Sequence, residues 1–101
     1  MEPLSRITPA TIDVLGCLLA ADGDTWGLNV IRDSGRPAGT VYPLLERLER
    51  GGWVESEWDD DAARSGPRRR MYRLTSDGAS AARTAVAAFR SRRVSTETAT
   101  A

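Results

Sequence analysis

From residue 9 onward the apolar positions fall three and four apart, the period of a helix packed along one side. Ile12, Leu15, Leu18 and Leu19 share one face of a first helix predicted from about Pro9 to Ala21. Thr8 offers a hydroxyl cap, and Pro9 stands where no amide hydrogen bond is lost. "ADGD" ends that helix. A short second helix is predicted from a Thr25 cap through roughly Asp33, with Leu28 and Ile31 inward and Gly35 as its stop. Trp26, at its head, is expected in the core. A third helix is predicted from about Pro37 to Arg50, where Gly51 and Gly52 stop it.

The period then changes from helical to alternating. "WVESEW" reads as a strand, and "RRRMYRLT" reads as another after a loop of about nine residues, "DDDAARSGP". Together they predict a two-stranded β-hairpin. Thr75 caps a fourth helix over "SDGASAARTAVAAFRSRR", and residues 94–101, "VSTETATA", are expected to form a disordered tail. The fold class is therefore α+β and mostly helical, one domain over residues 1–93. Two helices joined through a glycine-containing turn and followed by a hairpin make a winged helix-turn-helix.

The third helix carries the candidate site. With Val41 at zero and 100° per residue, Leu44, Leu45 and Leu48 lie within about 60° of it and form the buried stripe. The opposite side carries Gly39, Pro43, Glu46 and Arg50, flanked by Tyr42 on one side and by Thr40 and Arg47 on the other. Gly39 and Pro43 are short and allow close approach to the backbone. Thr40, Tyr42 and Arg47 supply donors that hold phosphates or read base edges. Pro43 costs a backbone hydrogen bond that solubility alone would not require. Glu46 either accepts from a cytosine amino group or pairs with Arg50 four residues on. A structural reading of the same face has Tyr42 tucked against Trp53 and Pro43 merely kinking the helix.

Charge changes the picture next. The 101 residues sum to zero, yet residues 1–61 hold five arginines against twelve acids, and residues 62–94 hold nine arginines against Asp77 alone. A segregated basic surface directs binding even when the whole molecule is neutral. Arg64, Arg68, Arg69, Arg70 and Arg73 fall within ten residues at the loop and the returning strand. Such a run on a wing suits flanking phosphates or the minor groove. The acidic "EWDDD" across the loop either holds these arginines or repels DNA.

The catalytic inventory is thin. The chain has no histidine and no lysine, and its one cysteine, Cys17, lies in the apolar stretch "VLGCLLA", where a buried inert thiol is expected. No metal-ligand spacing and no phosphate-cradling glycine loop is present, so no metal and no cofactor is predicted. Neither a signal peptide nor a membrane span is predicted, and a single cysteine fits the reducing cytoplasm. Trp53, Val54 and Trp58 are read as core and hairpin packing.

"PAGTVYPLLERLERGGWVESEW" followed by "GPRRRMYRLTSDG" resembles the PadR family of bacterial transcriptional regulators over about residues 8–80. The resemblance implies a winged-helix repressor that binds an inverted-repeat operator as a homodimer. It also implies groove contacts from Pro37, Ala38, Gly39, Thr40, Tyr42 and Pro43, with Arg68 and Arg69 on the wing. The first and last helices would contribute to dimerisation. Ala82, Val86 and Phe89 at helical spacing, with Ala79 and Ala85 allowing close approach, are the expected contact on the last helix. The chain looks like a short branch of that family, and the resemblance leaves any small-molecule effector unidentified. The alternative is a winged-helix module whose arginines meet an acidic protein instead of DNA.

Overall fold

The computed structural model of the chain describes residues 1–4, 6–59 and 69–100, with side chains as far as Arg92. In chain order the elements are α1 (Pro9–Ala21), β1 (Thr25–Trp26), α2 (Gly27–Ser34), α3 (Ala38–Arg50), β2 (Val54–Asp59), β3 (Arg69–Leu74) and α4 (Ser76–Thr100). This is the expected winged helix-turn-helix with one strand more than the sequence predicted. No described helix is long and apolar enough to cross a membrane.

The first helix starts as its sequence dictates. The Thr8 hydroxyl accepts from the Thr11 amide at 3.2 Å, and the Thr11 hydroxyl accepts from the Thr8 amide at 3.3 Å, closing a reciprocal cap. Val14, Leu15 and Leu18 are buried against α2, α3 and α4.

The second helix corrects the sequence reading. Thr25 does not cap it but enters β1, and Trp26 stands at the N-cap with no side-chain hydrogen bond. Leu28 is 52% exposed rather than inward, and Val30, at 1%, takes the core position. The Gly35 stop is as expected: its φ of 70° is a left-handed turn, and its amide donates to the Ile31 carbonyl at 3.1 Å.

The sheet is antiparallel in the order β1-β3-β2. Tyr72, in the middle strand, stands opposite both Thr25 and Ser56, and its ring is buried. Burial pushes the Tyr72 phenol above its ordinary range, against a smaller lowering by Arg70. β1 pairs with β3 only at Tyr72 and Met71.

Trp53 joins three parts of the chain. Its indole N–H donates to the Glu2 carbonyl at 2.7 Å, while the Glu2 amide donates to the Gly51 carbonyl at 2.9 Å. Its own carbonyl accepts from the Thr75 amide at 2.9 Å. Thr75 caps α4 as expected, its hydroxyl accepting from the Gly78 amide at 2.9 Å. Gly78 has a reason of its own: a Cβ there would sit 1.9 Å from the Trp53 carbonyl oxygen. α4 lies on α1, burying Ala82 and Val86 inside the single chain. Its helical backbone runs to Thr100, through the segment read from the sequence as a disordered tail. No glycine or proline interrupts residues 79–100, and serine and threonine cost only tenths of a kcal/mol each in a helix.

Candidate nucleic-acid interface

The orientation of α3 follows from its leucines. Val41, Leu44, Leu45 and Leu48 are all buried, and each contributes on the order of 1.5–3 kcal/mol by leaving water. The opposite side is thereby presented outward. Gly39, Tyr42, Pro43, Glu46, Arg47 and Arg50 are exposed, and Thr40 is half-buried. Pro37 supplies the exposed N-cap, and its carbonyl accepts from the amides of Thr40 and Val41 at 2.9 and 3.0 Å. Ala38 follows, also exposed. Pro43 sits inside the helix without ending it, and its missing N–H leaves the Gly39 carbonyl without the usual helical donor.

Tyr42 does not tuck against Trp53. Its ring lies across the start of α2, so close that a Cβ on Gly27 would fall 2.5 Å from Tyr42 Cε1 and 2.7 Å from its hydroxyl. The tyrosine still keeps 42% of its surface in water. Gly27 is thus the seat of the Tyr42 ring, a relation with no sequence signal because the two residues are fifteen apart. Glu46 pairs with Arg50 at 2.9 Å, the internal alternative of the two readings. Arg36 pairs with Asp13 at 2.8 Å, fastening the α2–α3 turn to α1.

On the wing, Arg64 and Arg68 lie outside the described residues. The guanidinium of Arg69 lies over the Trp26 ring, 4.0 Å from its centre. That of Arg70 lies 5.3 Å from the centre of Trp58 and 3.6 Å from a Glu49 carboxylate oxygen. Arg73 is held by Asp24 at 3.2 Å, Glu57 at 3.0 Å and Glu55 at 3.8 Å. Hydrogen bonds to Glu57 and Asp24 raise its pKa further, so it stays charged. On the described part of the acidic strand, therefore, Glu55 and Glu57 hold an arginine.

Of the dimerisation candidates, Ala82 and Val86 are buried within the single chain, whereas Ala79, Ala85 and Phe89 are half-buried. The helical spacing that selected them marks the stripe packed on α1 of the same chain. Cys17 is half-buried, and burial first, then Asp33 and Asp13, raise its thiol pKa. Such a thiol is protonated at neutral pH and a poor nucleophile.

The family model described as the transcriptional regulator PadR-like family matches residues 18–84. The chain belongs to that family. The matched segment of this PadR-like chain takes in α2, α3, both hairpin strands and the start of α4. No curated protein sequence matches it. Among solved structures, a PadR family regulator from Eggerthella lenta is 29% identical with a TM-score of 0.66, covering 84% of this chain and 78% of its own. A PadR family regulator from Clostridium difficile R20291 shares the fold at 20% identity, with a TM-score of 0.77 over 93% of this chain and all of its own. BpsR of Bordetella bronchiseptica is 25% identical with a TM-score of 0.73 over 91% of this chain, which spans 62% of the BpsR chain.

Proposed function

We propose that this PadR-like protein is a cytoplasmic, homodimeric, sequence-specific DNA-binding repressor. The observation that carries the reading is the outward face of α3, fixed by four buried apolar residues behind it. Thr40, Tyr42 and Arg47 act as donors to base edges and phosphates in a major groove, and Pro37, Ala38, Gly39 and Pro43 admit the backbone closely. Arg64, Arg68, Arg69 and Arg70 supply the wing's positive charge toward neighbouring phosphates. Two copies related by a twofold axis place their α3 helices in successive major grooves, about 34 Å apart, on a pseudo-palindromic site.

Phe89, with Ala79 and Ala85, contacts the second copy, while Ala82 and Val86 support that surface from beneath. The reading is tested by a gel shift on the DNA upstream of the protein's own gene, with random DNA as competitor. Retardation that random DNA does not displace supports it. A module built to bind an acidic protein shows no preference between the two DNAs. Phe89→Asp is expected to sediment as a monomer and to lose the shift, with its melting curve showing that it still folds.

A further inference from the structure

Trp26 stands where a helix ordinarily places serine, threonine, aspartate or asparagine. It is the N-cap of α2, yet its side chain gives that helix no hydrogen bond. It is half-buried rather than in the core. What it holds is Arg69, whose guanidinium lies 4.0 Å from its ring centre. The sheet register makes that contact. Trp26 stands opposite Met71, and Arg69, two residues along β3, projects from the same face. The residues beside Trp26 fix its place: Asp24 pairs with Arg73 at 3.2 Å, Thr25 stands opposite Tyr72, and Gly27 seats the Tyr42 ring. Four consecutive residues thus tie the hairpin to the flank of α3.

We infer that Trp26 is a positioning residue of the DNA interface, holding Arg69 ready for a phosphate without neutralising it. The three arginines of β3 are held in different ways. Arg73 is met by Asp24, Glu55 and Glu57, and Arg70 lies 3.6 Å from a Glu49 carboxylate oxygen. Arg69 has no ion-pair partner among the described residues. A carboxylate fixes a guanidinium but cancels its charge and takes up its N–H donors. An aromatic face fixes it through the ring quadrupole and leaves both the charge and the edge donors free. The side chain has then given up rotamer freedom before DNA arrives, so less is lost on binding. Its direction is set as well. Trp26, Tyr42 and Arg69 line one cleft, so Arg69 stands on the side of the molecule that Tyr42 faces. The role at DNA rests on the reading proposed above; the hold on Arg69 does not.

The test measures the Kd of the full chain and its variants for the upstream DNA over a range of salt. Arg69→Gln is expected to lower the slope of log K against log salt by about 1, as the loss of one phosphate contact would. Trp26→Leu removes no charge, yet it should lower the slope by most of that amount and weaken binding about fivefold. Trp26→Phe, which keeps a ring, should restore most of the loss. The double variant of Trp26→Leu and Arg69→Gln should lose no more than Arg69→Gln alone. An unchanged slope in Trp26→Leu, or losses that add in the double variant, overturns the positioning role. A melting curve shows whether Trp26→Leu folds, and proton NMR of the unaltered chain needs no variant. The Arg69 protons next to the guanidinium should lie upfield of their ordinary position, shifted by the Trp26 ring, and protons at the ordinary position overturn the hold. Should the chain bind no DNA at all, the DNA-binding reading fails and the role at DNA with it, while those protons still decide the hold on Arg69.

Discussion

Two glycines show how one missing methyl group fixes packing. Gly78 lets the first turn of α4 close onto the Trp53 carbonyl, whereas Gly16, in the middle of α1, has nothing within 4 Å of where a Cβ would be. Gly78→Ala forces two backbones apart and is expected to lower stability by about 3 kcal/mol or more. Gly16→Ala removes chain entropy without a clash and should raise it by about 0.5–1 kcal/mol. Urea denaturation of the two variants checks the contrast, and equal effects would contradict it. Cys17 gives a second residue-scale prediction. Its raised pKa keeps the reactive thiolate scarce at neutral pH, and the thiolate appears only as pH climbs above the ordinary cysteine range. Iodoacetamide should alkylate native protein at pH 7 about tenfold more slowly than denatured protein, with the gap narrowing as pH rises. Equal rates at pH 7 would mean an accessible, activated thiol.

At the scale of elements, α3 combines a strong inward stripe with an outward face that its own stability does not favour. Pro43→Ala restores a donor to the Gly39 carbonyl and is expected to stabilise the fold by up to about 3 kcal/mol. The same change alters the outward face and should weaken DNA binding. A variant that is both more stable and equally tight on DNA would show that the proline has no part in recognition. The buried side of α3 was legible because four apolar residues at helical spacing leave one solution for its phase. α2 was not, because its eight residues are barely two turns, and moving its start from Thr25 to Gly27 exchanges Leu28 for Val30. β1 was hidden for a related reason: a strand of two residues, Thr25 and Trp26, has no alternation to detect. It exists because β3 offers a pairing edge brought there by the fold. The inward turn of Ala82 and Val86 has the same origin, since helical spacing identifies a buried stripe without saying whether its partner is the same chain or another.

Over the whole molecule, the charges sum to zero while nine of the fourteen arginines fall within residues 62–94. Several of them are already engaged: Arg73 with three acids, Arg70 with Glu49, Arg50 with Glu46. Arg47 is exposed on α3 and has no ion-pair partner among the described residues. Arg47→Ala is therefore expected to lower the slope of log K against log salt by about 1, as one phosphate contact would. An unchanged slope would remove Arg47 from the interface.

The central claim is that the outward face of α3 reads DNA, and Tyr42 tests it most directly. Fluorescence anisotropy should compare the protein and its Tyr42→Ala variant on the DNA upstream of its gene and on random DNA of the same length. The substitution is expected to weaken binding to the upstream DNA about tenfold or more and to change binding to random DNA far less. Equal losses on the two DNAs, or no loss on either, would contradict it.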